Sequence, residues 1–182
     1  DWLGCYDHPT VNTPNLDMLA SEGCRCANAF CTSPVCTPSR GSMMTGRYPQ
    51  SNGLMGLIQE PYRWRYNDGE RHLSHLLKEH GYETVLFNHQ HEAPSEESLG
   101  FLERRAFNSG TYALPLLGET VCTAEETARS VAGFLRERGK SEVPFYAQIG
   151  FFETHTPFDW NGATPDDEYG VEIPHHVVDG SE

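Results

Sequence analysis

Basic residues are scarce in this chain. Thirteen Lys and Arg stand against 26 Asp and Glu, which leaves a formal charge of −13 over 182 residues and a pI near 5.0. Such a field repels polyanions and argues against broad binding to nucleic acid or to an acidic membrane. A small anion is still admissible wherever a few arginines or a cation reverse the sign locally. Long apolar runs are missing too. None approaches the ~18 to 20 residues of a membrane span, and no signal peptide is recognisable. No internal repeat, low-complexity tract or linker interrupts the pattern. An initiator Met is lacking: the chain opens at Asp1-Trp2-Leu3 and closes on "VVDGSE", and so reads as a segment of something longer.

Cysteine is present but uninformative about compartment. Five of the six, at 5, 24, 26, 31 and 36, precede the lone Cys122. Cys24 and Cys26 would share one face of a strand, which is poor geometry for pairing with each other. No CxxC pair has a downstream His-His partner, so a zinc finger is a weak reading. A thiol-metal site built on Cys24, Cys26 and Cys31 stays open as an alternative.

The 37% hydrophobic content suffices for one sizeable core. Thr13-Pro14 predicts an N-cap with Pro at N1, opening a helix whose Leu16, Leu19 and Ala20 share a face and which stops at Gly23. "CRCANAF" (24–30) reads as a short strand. Thr37-Pro38 repeats the cap-plus-Pro start for a helix to about Thr45, ended by Gly46. "GERHLSHLLKEHG" (69–81) reads as a helix and "ETVLFN" (83–88) as a strand. Thr123-x-x-Glu126 is a capping box for a helix to about Arg138, and "PFYAQIGFF" (144–152) reads as a strand buried on both faces. The segments 89–122 and 158–182, rich in Gly, Pro and acids, read as loops. Helices alternating with apolar strands predict an α/β fold with a mostly parallel sheet flanked by helices.

Active sites of such sheets gather at the carboxyl ends of strands. By this reading Cys36, His89, His91 and His155 each lie just past a strand end, on one rim. Cys36 falls just before a helix N-cap, where unpaired N–H groups and the dipole favour a thiolate or a bound oxyanion. Arg40, one turn on, can present a charged fork to the same place. A buried structural cysteine is the plainer alternative.

Cys36-Thr37-Pro38-Ser39-Arg40, followed by Thr45-Gly46-Arg47, resembles the Cys-x-Pro-x-Arg signature of type I sulfatases, members of the alkaline-phosphatase-like superfamily. "LGCYDHPTVNTPNLDMLASEGCRCANAFCTSPVC" resembles the segment that precedes the signature, and "GFFETHTPF" (150–158) the later strand that ends in a catalytic His. "QSNGLMGLIQE" (50–60) looks most like the heparan N-sulfatase (sulfamidase) branch. The resemblance implies that residues 1–182 are part of a sulfatase catalytic domain, with its first strand and C-terminal portion lying elsewhere.

What the resemblance implies for chemistry is specific. Cys36 would be the encoded precursor of a formylglycine, made by a maturation enzyme that reads Pro38 and Arg40, and its hydrated form would be the nucleophile. Arg40 would neutralise sulfate charge, and His155 would bind sulfate and protonate the leaving group. His91 matches the His of a Gly-Lys-x-His motif, but His89 occupies the Lys position. The charge that lysine would bring must come from His89 or from elsewhere. A divalent cation, usually Ca²⁺, is implied as cofactor; only Cys36 is expected to touch it, because the acidic ligand pairs of the family are not visible here.

Arg63 and Arg65, among Tyr62, Trp64 and Tyr66, could form a subsite for a sulfated saccharide, the plainer reading being a solvated loop. The expected activity is hydrolysis of a sulfate ester or N-sulfate on a sulfated small molecule or glycosaminoglycan-type sugar, with no nucleic-acid or membrane partner. Alternatives are a phosphonate or phosphate-ester hydrolase of the same superfamily, or a catalytically inert fragment. Family likeness suggests a periplasmic, secreted or lysosomal setting, with a bacterial cytoplasm as the other option.

Overall fold

The computed structural model describes residues 2–105, 107–114, 119–139, 141–153 and 155, with the main chain alone over 107–114 and 119–120. The chain divides into two compact units, Cys31–Thr156 being one and Asp1–Phe30 with Pro157–Glu182 the other.

In the described part of the smaller unit, a turn at Gly4–Tyr6 precedes helix α1, Pro14–Glu22. Pro14 opens the helix as its sequence predicts, yet Thr13 does not cap it with its side chain. The Thr13 hydroxyl instead accepts the Gly4 amide at 2.9 Å and donates to Asp17 at 3.0 Å. Asp17 also accepts the Cys5 amide at 2.7 Å, so two helix side chains hold the preceding turn. Residues 24–30 form no strand and are exposed; the Tyr6 hydroxyl donates to Cys26 O. No ladder partner forms there, so the alternating pattern of that stretch stays unrealised.

The larger unit is built on a sheet ordered β2-β1-β5, parallel throughout: β1 Glu83–Asn88, β2 Glu103–Arg105 and β5 Phe145–Gly150. β3 Phe107–Leu114 and β4 Glu119–Val121 pair antiparallel as a separate ribbon, so the segment 89–122 is not all loop. Parallel neighbours need a crossover. Between β1 and β5 it includes α5, Ala124–Arg138, opened by the Thr123–Glu126 capping box with both reciprocal bonds made. Phe134 and Val131 of α5 pack on Val85, Phe87 and Ala147, with the Phe87 and Phe134 rings edge-on at 5.5 Å. Each fully buried phenylalanine or valine contributes roughly 1.5–3 kcal/mol. Central β1 is buried almost throughout, whereas Phe145 and Ile149 of β5 are about 40% exposed, so β5 is not covered on both faces.

The larger unit also holds the shorter helices α2 Cys36–Thr45, α3 Pro49–Asn52 and α4 Leu73–Glu79. Helix α4 is shorter than its 69–81 pattern because His72 caps it: its Nδ1 accepts the Ser74 amide, and His75 accepts the His72 amide in return. No helix among the described residues is long and apolar enough to cross a membrane. The stretch 158–182, read as loop, lies outside the described residues.

Candidate active site

Helix α2 begins two residues earlier than its Thr-Pro pattern predicts. Cys36 is the first helical residue and Val35 the N-cap, without a side-chain bond. The reason lies in Thr37, whose hydroxyl turns away from the helix amides and donates to the His91 carbonyl oxygen at 2.8 Å. Pro38 costs nothing in the first turn, where its missing N–H has no intrahelical partner. The αL residue Gly46 closes the helix as expected, its amide bonding Ser42 O. Gly41 allows Leu54 to come close; a Cβ there would sit 2.7 Å from Leu54 Cδ1.

Past β1 the chain turns at Asn88, buried and with φ of +59°, a region Asn tolerates better than most residues. Its side chain accepts the Cys122 amide at 3.0 Å and donates to Cys122 O and Thr127 Oγ1, both at 3.0 Å. The next residues are buried without a ladder, and side chains take over their main-chain groups. Gln90 Oε1 accepts the amides of Glu92 and Ala93, and Gln90 Nε2 donates to Ala93 O. The Glu92 carboxylate, 1% exposed, accepts the His91 amide at 2.7 Å and Gln148 Nε2 at 2.9 Å. Gly150 faces this segment so closely that a Cβ would meet His89 O at 1.8 Å.

Buried charge at Glu92 is felt around it. Burial and then Glu92 push the Tyr146 hydroxyl up to about 12, and burial, Glu92 and Glu70 push Tyr66 up as well. Both phenols therefore remain neutral.

The outcome is a short polar chain. His91 Nδ1 stands 3.2 Å from Cys36 Sγ, and His91 Nε2 stands 2.9 Å from Gln59 Oε1. A carbonyl oxygen accepts only, so Nε2 carries the hydrogen and Nδ1 offers its lone pair to the group at position 36. The bond to Gln59 was not foreseen from sequence, because nothing in "GLIQEPY" marks Gln59 as a contact of a histidine 32 residues away.

Arg40 lies one turn beyond Cys36, a spacing that shares a helix face. It is half-buried and, among the described residues, makes no side-chain hydrogen bond or ion pair. Several other arginines are paired: Arg47 with Glu70, Arg71 with Glu79, Arg105 with Glu103 and Glu137, and Arg138 with Glu83. In a chain with twice as many acids as bases, a guanidinium unpaired among the described residues stands one turn from Cys36.

His89, buried, lies 5.6 Å from the His91 ring and edge-on to Phe152 at 5.1 Å. His155, exposed, rests its ring against Phe152 at 4.9 Å. Thus His89, His91 and His155 cluster past the ends of β1 and β5, as predicted. Cys36, placed on the same rim as a strand end, reaches His91 from a helix N-terminus instead. Arg63 is paired with Glu60 at the surface, and Arg65 donates to the carbonyls of Ile58 and Trp64. The described cysteines are all free, and among the described residues no group of three or more His, Cys, Asp or Glu could hold a metal.

A family model described as Sulfatase matches residues 1–174. The chain is 36% identical to human "Arylsulfatase D" over 104 residues, covering 54% of this chain and 18% of that protein. It is 35% identical to human "N-sulphoglucosamine sulphohydrolase" over 91 residues, covering 50% of this chain. A solved structure described as BT4656 in complex with its substrate D-glucosamine-2-N,6-O-disulfate superposes with a TM-score of 0.65 at 23% identity, over 85% of this chain and 32% of that one. The chain spans about a fifth of the length of curated relatives such as these.

Proposed function

Because this chain belongs to the sulfatase family, we propose that the Cys36 site serves hydrolysis of a sulfate ester or N-sulfate, with Cys36 as the precursor of a formylglycine. The substrate class we favour is a sulfated sugar of the glycosaminoglycan type, in keeping with the relatives' names. The observation that carries the reading is Arg40: a half-buried cation without a partner among the described residues, one turn from Cys36 in a strongly acidic chain.

The surroundings of position 36 suit the modification. Its side chain is half-exposed at a helix N-terminus, and the sulfur stands where a hydroxyl of the mature residue would meet His91 Nδ1. Once formed, the group supplies a hydrated aldehyde whose second hydroxyl offers a way to release sulfate after transfer. Arg40 would then neutralise a non-bridging sulfate oxygen, helped by the helix N-terminus. His91 would accept a proton at Nδ1 while Nε2–H stays on Gln59. His155 is the candidate to protonate the leaving group, and buried His89 fills the place of the expected lysine. Arg63 and Arg65 belong to a candidate sugar subsite.

Calcium does not fit the described residues by themselves. Cys36 is its only expected ligand, and no carboxylate cluster joins it there.

The test begins with the peptide mass across residue 36, where conversion replaces sulfur and two hydrogens by one oxygen. Hydrolysis of a sulfate and a phosphate ester of the same alcohol is then compared. The sulfate ester should turn over faster, and Cys36→Ala should abolish turnover. Faster phosphate hydrolysis, or turnover that survives Cys36→Ala, would overturn the reading.

A further inference from the structure

We propose that Gln59 is a positioning residue that fixes the tautomer of His91, and that it ties the loop 54–66 to the reacting group at position 36. The proposal rests on the sulfatase reading for its catalytic meaning, but its geometry does not depend on it.

His91 has two ring nitrogens and one hydrogen between them when neutral. Left to itself the ring would distribute between tautomers, and only one of them leaves Nδ1 able to accept. Gln59 Oε1 at 2.9 Å from Nε2 selects that form, because an amide oxygen bonds a donor and is unmatched against a lone pair. When Nδ1 takes a proton from the group at position 36, the ring becomes a cation with two N–H groups. Its Nε2–H still points at Gln59 Oε1, so the same oxygen supports the charged ring without rearrangement.

The loop is constructed to hold Gln59 still. The Gln59 carbonyl oxygen accepts the amides of Tyr62 and Arg63 at 2.9 and 3.1 Å, and Trp64 N donates to Leu57 O at 3.1 Å. Arg65 donates to Ile58 O at 2.8 Å. Gly56 leaves room for the Trp64 ring, whose Cδ1 would lie 2.6 Å from a Cβ at that position. Leu54 and Ile58 are buried beneath the loop. The exposed Tyr62, Arg63 and Trp64 thus belong to the same closed turn as the residue that orients His91. A saccharide contacting them would be read at the ring through one side chain.

The experiment is ¹⁵N NMR of the histidine-labelled protein at neutral pH, with His91 assigned by His91→Gln, beside steady-state kinetics. Wild type should show His91 as the Nε2–H tautomer. Gln59→Leu should shift it toward a mixture of tautomers and lower kcat about tenfold or more, while melting stays cooperative. Gln59→Glu keeps an acceptor oxygen and should restore the Nε2–H form. An Nδ1–H tautomer in wild type, or an unchanged tautomer in Gln59→Leu, overturns the proposal. If the tautomer responds as stated but no sulfate ester is hydrolysed by any form, the positioning stands and the sulfatase reading falls.

Discussion

Asn88 holds both main-chain polar groups of Cys122, accepting from its amide and donating to its carbonyl. A side-chain amide thereby does what a strand neighbour would do, and fastens the end of β1 to the residues just ahead of α5. The same residue makes the left-handed turn that sends 89–93 toward Cys36. Asn88→Ala removes three buried hydrogen bonds and puts Ala at φ of +59°. A loss of about 3 kcal/mol in urea unfolding is expected. A change below about 1 kcal/mol would mean that the clamp is not limiting.

Arg40 has no partner among the described residues, so its replacement should act on function and spare stability. Arg40→Ala is expected to lower kcat/KM on a sulfate ester by about 10²–10³ with an unchanged melting temperature. Arg40→Lys should recover only part of this, because an ammonium does not reproduce the planar fork. Equal losses in stability and rate would instead assign Arg40 a structural task.

His72 should make the fold acid-sensitive. Burial, and secondarily His75, lower its pKa from 6.5 to about 4, and its Nδ1 lone pair is already occupied as acceptor of the Ser74 amide. The unfolded chain therefore binds the proton first. The stabilisation is fully present above about pH 6.5 and drains away as pH falls toward 4. From about pH 8 to pH 5 the loss comes to about 2 kcal/mol. His72→Asn keeps a capping acceptor without titrating, so urea unfolding of this variant should lose less over the same range. Parallel losses in both proteins would refute the assignment.

Gly150 tolerates no side chain. A Cβ would lie 1.8 Å from His89 O, and that contact is main chain, which cannot swing aside. Gly150→Ala should cost more than about 3 kcal/mol or prevent folding. If it folds, the ¹⁵N signals of His89 and His91 should both move. An unperturbed variant would show that β5 and the 89–93 segment approach less closely than described.

Where structure is local, the sequence shows it plainly. The Thr123 capping box and the Gly46 stop of α2 each follow from bonds within a few residues, and each is found where expected; β1 is also found, because its apolar run is legible although its ladder partners are distant. The signature around Cys36 likewise marked the segment that the fold brings to His91. Thr13 and Thr37 mark the limit. Both have the chemistry of caps, but each hydroxyl finds a better partner, Asp17 in one case and the distant His91 carbonyl in the other. Gln59 shows the same limit more sharply, since its importance comes only from what the fold carries to it. β2 and β4 were hidden because strands as short as "ERR" and "ETV" carry too few residues for alternation to show, and β3, "FNSGTYAL", because its apolar residues do not alternate.

His91 has four hydrogen-bonding groups, and each is occupied: its amide by Glu92, its carbonyl by Thr37, and its two ring nitrogens by Cys36 and Gln59. A side chain tethered in this way has surrendered its torsional freedom while the protein folds. On the proposed reading, a substrate arriving at Cys36 would find the His91 rotor already frozen, with the entropy of aligning that donor and acceptor settled before the encounter.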